Sequence, residues 1–366
     1  MLLKRCLRSF DWISFAITLM LAGIGLLFIF SATYKAEQPY SIFFQKQVFG
    51  VISGLLIYVI FCCVDHRTLL RCGYFAYYIV ILLLCFTIVK GAIGMGAQRW
   101  IQLGFLKVQP SELTKILFPA FVVYYLYSHP MTQTVTSAYF VPLLGMLAVS
   151  FVLIRQQPDL GTALTLAFSG IIMLWLAGLP RKFFIYSALI GMLGMPLAWH
   201  VLKDYQKQRI YVFLGYGDSR KERYQLEQSA IAIGSGGITG KGFLCGTQNK
   251  FNFLPESRTD FIFSVIAEEI GFMGTVTILL LYALLFWRFF VVISTIKTPL
   301  LQLLALGIIL HIIVSTIINI GMVIGLLPIV GIPLPLISYG VSNLWVVFAS
   351  LGWFNGIAMR RSYANI

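Results

Sequence analysis

The chain has 366 residues, of which 59% are hydrophobic and only 11% charged, with a mean hydropathy of +0.88. Soluble chains carry about a quarter charged residues to hydrate their surface. A cytosolic enzyme, a disordered regulator and a disulfide-stapled secreted module are therefore excluded, and an all-α polytopic membrane protein is expected, one integral membrane domain over 1–366. The 27 Lys and Arg against 13 Asp and Glu leave a net charge of +14. No nucleic-acid arm accounts for it: the basic residues sit in loops between apolar stretches, where topology and anionic lipid headgroups explain them, so no nucleic-acid partner is expected.

At about 20 apolar residues per crossing, the predicted spans are 12–31, 44–64, 73–90, 112–128, 137–154, 159–178, 183–202, 261–287, 300–327 and 340–358. That makes about ten helices, with one long loop, 203–260, between the seventh and eighth. The first span is too long for a signal-peptide core and lacks a small-residue cleavage site, so it reads as a retained anchor. Of the six cysteines, five lie in or beside early apolar segments and only Cys245 lies in polar sequence, so neither a disulfide framework nor a metal-type spacing is expected.

Short loops set orientation. With a cytoplasmic N-terminus that side receives Lys4, Arg5, Arg8, Arg67, Arg71, Arg181, Lys182, Arg288, Lys297, Arg360 and Arg361, against Lys35, Lys46, Lys90, Arg99, Lys107 and Arg155 opposite. Both termini are then cytoplasmic, the long loop is extracytoplasmic, and little chain remains for an attached ATPase. The stretch Gly234 to Gly242 imitates a phosphate loop but fails its pattern, with Ser235 at the first glycine position and Gly242 after Lys241.

Three even-numbered helices begin on the outer side with a carboxylate: Glu112, Asp159 and Asp260. Acidic residues in a first turn stabilise the helix dipole by about 0.3–1 kcal/mol, and Ser111 or Thr259 would be ordinary N-caps, so capping is the simpler explanation of each alone. Glu112 and Lys115, at i and i+3, read as an ion pair. Asp260 stands apart because Ser264, Ala267, Gly271 and Gly274 fall within about 40° of its direction on the helix. Such a small-residue stripe means close helix packing or the floor of a groove for a lipid chain. Glu268 and Glu269, deeper in the same helix, are too costly in hydrocarbon to face lipid, and are expected against a polar cavity or partner helices.

The long loop mixes basic residues, among them Lys241, Lys250 and Arg258, with acidic ones. Mixed charge usually marks a solvated surface, yet its glycine-rich segment could offer bare N–H donors to anions. Arg99 shares this face, and for Arg155 snorkelling at the interface suffices. Pro328, Pro333 and Pro335 suggest a broken segment before Ser338, which membrane depth tolerates only where it is buried in protein or lines a cavity.

Lined up, Gly96-Ala-Gln-Arg-Trp-Ile101, Gln109-Pro-Ser-Glu-Leu113 with Lys115, Gln157-Pro-Asp-Leu-Gly-Thr162, the stretch from Gln228 to Gly274 and PLPLISYG at 333–340 resemble the SEDS family (shape, elongation, division and sporulation) of bacterial cell-wall glycosyltransferases. The wording GAQRW and GTQNKFNFLPE is closest to its RodA, or elongation, branch. Val341 and Asn343, in Val341-Ser342-Asn343, depart from the family's usual Gly-Ser-Ser.

The resemblance implies a ten-helix enzyme of the bacterial inner membrane. It would polymerise lipid II into a nascent glycan strand at the outer face, beside a class B penicillin-binding protein that crosslinks the product. It puts the catalytic aspartate on Asp260, the paired Glu and Lys on Glu112 and Lys115, and an arginine and aspartate on Arg99 and Asp159. The chemistry agrees: an unactivated sugar hydroxyl needs a base, for which Asp260 is the candidate. The departing pyrophosphate needs positive charge, from Arg99, Arg258, Lys241 or a bound divalent cation such as Mg²⁺ or Mn²⁺. Direct displacement inverts the donor and needs no second carboxylate, unlike the paired acid and base of glycosidases. A lipid II flippase using the same outer cavity, or a non-catalytic scaffold for the transpeptidase, are the alternatives; a flippase would have to open its site to both sides.

Overall fold

The computed structural model describes residues 9–94, 97–103, 106–130, 137–201, 207, 211, 220–250 and 253–360. Lys4, Arg5, Arg8, Arg361 and much of the predicted loop, Lys203 and Arg209 included, lie outside them. The described chain forms α1 (Trp12–Thr33), α2 (Ile42–Cys63), α3 (His66–Lys90), α4 (Pro110–Ser128), α5 (Val141–Gln156), α6 (Leu160–Leu176), α7 (Arg181–Val201), α8 (Arg220–Gly236), α9 (Ile262–Ser294), α10 (Pro299–Val323) and α11 (Val341–Arg360). Each predicted span carries a helix. Among the described residues, α1, α2, α3, α9, α10, α11 and the segment Ala138–Gln156 ending in α5 are long and apolar enough to cross a membrane, and α6 is a shorter apolar helix.

Some boundaries move for physical reasons. The third helix starts at His66, not at 73, because the Asp65 side chain accepts from the Arg67 N–H at 3.2 Å and caps a polar first turn. The eighth span continues to Ser294 because Arg288, which ends the apolar run in sequence, is neutralised within the helix by Asp11 at 2.8 Å.

The expectation of an all-α chain is corrected by a small antiparallel meander, β1 (Ala92–Gly94), β2 (Ala97–Leu103) and β3 (Leu106–Val108). Trp100 faces Ala92, and Ile101 faces Val108. The segment follows the end of α3 and precedes α4, so its backbone groups satisfy one another across strands instead of along a helix.

Among the seven long apolar helices, α10 and α11 are the most buried. Helix α11 lies along α2, α4 along α3, and α10 against α4 and α6. The α2–α11 approach depends on small residues: a Cβ at Gly352 would lie 2.3 Å from the Tyr58 carbonyl oxygen. Their shared end is polar and closed. Asp11 accepts from Arg288 Nε at 2.8 Å and Ser14 Oγ at 2.5 Å, its N–H donates to Asn355 Oδ1 at 3.0 Å, and Asn355 Nδ2 donates to Tyr58 OH at 2.7 Å. These bonds join α1, α2, α9 and α11 at the end remote from the carboxylates discussed below.

Helix α9 is broken at Gly271, whose φ of 66° and ψ of −164° leave the helical region. The turn after α8 docks into the break. Lys241 and Gly242 N–H groups donate to the carbonyls of Glu268 and Glu269 at 3.0 and 2.9 Å, while Phe272 and Met273 N–H groups donate to Gly237 and Ile238 at 2.9 and 3.1 Å. Only glycine fits the crossing: a Cβ at Gly240, itself at φ +81°, would lie 2.2 Å from the Glu269 carbonyl oxygen.

Candidate active site

The turn preceding α9 carries Asp260. Sequence reading put Asp260 in the first helical turn behind a Thr259 cap; the helix instead begins at Ile262 with Phe261 at its N-cap and no side-chain cap bond. Thr259 Oγ1 turns back to Glu256 Oε2 at 3.1 Å, which leaves both residues in a tight turn, 255–261, rather than on the helix.

Three successive carbonyls of that turn are held from outside it. Tyr339 N–H donates to the Arg258 carbonyl at 3.0 Å, Ser338 Oγ to that of Thr259 at 2.6 Å, and Asn319 Nδ2 to that of Asp260 at 2.9 Å. Asn319 also donates to the Ile332 carbonyl at 2.7 Å. The proline-rich segment is thus the splint of the aspartate. Gly331 lies against the carboxylate, where a Cβ would come within 3.3 Å of Asp260 Oδ2. The Asp260 side chain itself is half-buried.

Beside it, the Arg258 guanidinium lies 3.9 Å from the Phe43 ring centroid, and its buried Nε has no hydrogen-bond partner among the described residues. Burial raises the Tyr339 phenol above its ordinary pKa, and Arg258 opposes that rise. Tyr339 therefore stays a neutral hydroxyl near the cation.

Glu112 and Lys115 form the ion pair expected of them, Lys115 Nζ to Glu112 Oε1 at 2.8 Å, both almost fully buried. Ser111 is not an N-cap: the helix starts at Pro110, Gln109 precedes it without a capping bond, and Ser111 Oγ lies 3.4 Å from Asp159 Oδ2. Asp159 is a true cap, accepting from Thr162 N–H at 3.2 Å. It also accepts from Gln109 Nε2 at 2.6 Å and sits 3.8 Å from Arg99 Nη1.

Arg99 clamps the turn before α6 through the carbonyls of Gln157 and Pro158 at 3.0 and 2.6 Å. Helix α6 in turn meets the splint: a Cβ at Gly161 would lie 2.9 Å from the Val330 carbonyl oxygen. The structure thus gathers Arg99 with Asp159, Glu112 with Lys115, and Arg258 with Asp260 at one end of the bundle.

Lys241 belongs elsewhere. Its Nζ donates to Glu268 Oε1 at 2.7 Å, and the same carboxylate takes the Thr247 N–H and Oγ1, both at 2.8 Å, and the Gln248 N–H. Glu269, its neighbour, accepts from Ser31 Oγ. The two glutamates face protein, as their cost in hydrocarbon requires.

Two expectations about this region are corrected. The N–H groups of the glycine-rich chain after α8 are engaged within the protein: Gly240, Lys241 and Gly242 donate to the carbonyls of Gly236, Glu268 and Glu269, and Thr247 and Gln248 donate to the Glu268 carboxylate. The small-residue stripe does not floor a lipid groove: Ser264 Oγ meets Ser229 Oγ of α8 at 2.8 Å, and a Cβ at Gly236 would lie 2.0 Å from the Ala267 carbonyl oxygen.

Apolar space lies instead on the flank of α10. A cavity of about 480 Å³ between α8 and the end of α10 includes Leu226, Ala230, Ile233 and Ile324, and a groove of about 500 Å³ between α9 and α10 includes Tyr282, Ile320, Ile324 and Leu327. Among the described residues no three His, Cys, Asp or Glu side chains converge as metal ligands. Asn319 and Phe43 were missed from sequence, and Ser338 was noted only as part of PLPLISYG. Of the two missed residues, Asn319 carried a signal, as an amide in the otherwise apolar run of α10.

A family model described as cell cycle protein, spanning FtsW, RodA and SpoVE, matches residues 11–363. The chain belongs to the SEDS family. It is 38% identical over 319 residues to the peptidoglycan glycosyltransferase MrdB of Escherichia coli, covering 87% of this chain and 86% of that one. It is 34% identical over 362 residues to the stage V sporulation protein E of Bacillus subtilis, covering 96% and 98%.

Among solved structures, the SEDS-family chain is similar to the rod shape determining protein RodA of Thermus thermophilus, with a TM-score of 0.71, 27% identity and coverage of 97% and 98%. It is also similar to a chain from a peptidoglycan synthase complex that coordinates polymerization and crosslinking, with a TM-score of 0.81, 28% identity and coverage of 97% and 99%. The family match thus extends over nearly the whole chain, and the fold is RodA-like and multi-pass.

Proposed function

We propose that this SEDS enzyme is a peptidoglycan glycosyltransferase that polymerises lipid II at the outer face of the inner membrane, with Asp260 as general base. Family membership and the names of its relatives support the reaction class. The observation that carries the mechanism is the Asp260 turn, a half-buried carboxylate whose backbone is fastened at three consecutive carbonyls beside an arginine with an unpartnered Nε.

Asp260 takes the proton of the acceptor sugar hydroxyl as its oxygen attacks the donor's anomeric carbon. The bond to the lipid pyrophosphate breaks with inversion, and Arg258 stabilises the departing charge. Arg99, Asp159, Glu112 and Lys115 shape the surrounding wall, and the groove between α9 and α10 suits the lipid chain. Lys241, bound to Glu268, secures the break in α9 and does not grip substrate. A divalent cation, if the reaction recruits one, would be held chiefly by the pyrophosphate.

In this reading α4, α6 and α7 complete ten crossings, both termini are cytoplasmic, and the region 203–260 faces outward. The partner is a class B penicillin-binding protein, consistent with the synthase complex containing a similar chain. The hydrogen-bonded end around Asp11 favours a polymerase over a flippase, which would have to part those helices.

Asp260→Ala and Asp260→Asn decide the question. Both proteins should insert and bind the partner yet lose roughly 10²- to 10⁴-fold of glycan elongation from purified lipid II. Asn keeps shape and hydrogen bonding without basicity, so wild-type elongation by Asp260→Asn, with the partner's own polymerising activity excluded, would overturn the base assignment.

A further inference from the structure

The first turn of α11 begins Val341-Ser342-Asn343, and its amide Asn343 is partly buried beside α4. Asn343 Nδ2 donates to Glu112 Oε2 at 2.8 Å, while Lys115 Nζ donates to Oε1 at the same distance. Both oxygens of a nearly fully buried carboxylate are therefore held, one by a cation of its own helix and one by an amide of α11. The preceding residue makes a second tie, Ser342 Oγ to the Lys107 carbonyl of β3 at 2.8 Å.

The same short segment grips the catalytic turn. Ser338 and Tyr339 hold the Thr259 and Arg258 carbonyls, and Gln47 of α2 braces Ser338 and Gly340 at 3.2 Å each. Asn343 lies five positions after Ser338, so the two grips lie within about 18 Å even for fully extended chain. A serine at 343 would be too short for this bond, its hydroxyl ending one atom closer to the backbone than the amide nitrogen.

We infer that Asn343 is a positioning residue for the glycosyl transfer: it locks the Glu112 carboxylate against Lys115 and ties its orientation to the segment that holds the Asp260 turn. This rests on the polymerase reading above. With both oxygens occupied, Glu112 presents a fixed, charge-paired edge to the site wall. Without Asn343, the carboxylate turns about its terminal torsion, and one buried oxygen seeks a new donor in water, substrate or a cation.

Two measurements test this on the full-length protein, purified and reconstituted. In the first, a lipid-soluble carbodiimide labels Glu112, followed by peptide mass spectrometry. Asn343→Ser and Asn343→Ala should label several-fold faster than wild type, whereas equal labelling in both overturns the lock. In the second, glycan elongation from lipid II is resolved into kcat and KM. Asn343→Ser should lower kcat roughly tenfold, the size of one lost charge-assisted hydrogen bond, with KM unchanged and the melting temperature within a few degrees.

The double change Glu112→Gln with Asn343→Asp reverses donor and acceptor, keeps the charge of the cluster and leaves Lys115 an acceptor. It should recover most of the lost kcat. An unchanged kcat in Asn343→Ser, or a fall in melting temperature that accounts for all activity lost, overturns the positioning role. Labelling does not depend on activity, so a wild-type protein that fails to polymerise refutes the polymerase reading while the lock is still decided.

Discussion

Glu268 shows how one buried charge is made tolerable in an apolar helix. An unpaired carboxylate there would cost several kcal/mol, yet Glu268 receives an ammonium, a hydroxyl and two backbone N–H groups from the chain just after α8. The partners are not equivalent. Glu268→Ala strands the buried side of Lys241 and the Thr247 and Gln248 amides together and should cost about 3–5 kcal/mol, seen as a large fall in melting temperature in detergent. Lys241→Ala leaves the carboxylate its other three donors and should cost distinctly less. The double variant should cost less than the two singles added, since both remove one interaction.

Charge was what made such residues legible. Asp260, the Glu112–Lys115 pair, Asp159 and the two glutamates of α9 all stood out as ions in apolar sequence, and each has a defined place in the structure. Asn319 and Asn343 are neutral amides, and nothing in the sequence says that their hydrogens meet a carbonyl of the Asp260 turn and a carboxylate of α4. Replacing Asn319 by Leu removes both of its bonds, to Asp260 and Ile332, while filling similar space. Elongation should fall by roughly an order of magnitude, with the Asp260 turn released from α10.

At the scale of elements, the spans were readable because about 20 apolar residues in a row have one structural outcome in a bilayer. The break in α9 was not. The glycines of Ser235-Gly-Gly-Ile-Thr-Gly-Lys-Gly242 were visible, but their close approach is to another stretch of the same chain, and sequence does not name a glycine's neighbour. Gly240→Ala puts a Cβ onto the Glu269 carbonyl at 2.2 Å in a left-handed conformation, and the conformation alone costs about 1–2 kcal/mol. It should undock the turn and expose the Lys241–Glu268 pair, visible as faster amide exchange at 237–242. Gly145, in α5 with nothing within 4 Å of an added Cβ, is the contrast. Gly145→Ala should be neutral or stabilise by up to about 1 kcal/mol, since a helix interior favours Ala. The sheet after α3 escaped for a related reason: its strands are three to seven residues long, too short for a period to declare itself beside dominant apolar runs.

For the whole molecule, the proposed orientation can be read from thiols the chain already carries. Cys245 and Cys63 are exposed, Cys245 in the turn docked to α9 and Cys63 at the end of α2. Because α2 and α9 run from the carboxylate-bearing end toward the Asp11 end, these two thiols mark opposite ends. Cys85 is exposed as well, but it lies within the apolar run of α3, five residues before its end at Lys90, where hydrocarbon would shield it from a water-soluble reagent. In intact spheroplasts an impermeant maleimide should therefore react at Cys245, with Cys63 reacting only after permeabilisation, and Cys245→Ser should abolish the outside signal. The reverse pattern would put the Asp260 turn in the cytoplasm, where a lipid-linked sugar could be met only before translocation. Outer-face polymerisation would then be untenable even with every hydrogen bond of the site intact. Topology would thus decide the chemistry: Arg67, Arg71, Arg288 and Arg360, toward the Asp11 end, are expected to hold that end inside, and the proposed polymerisation requires the carboxylate end to face the opposite side.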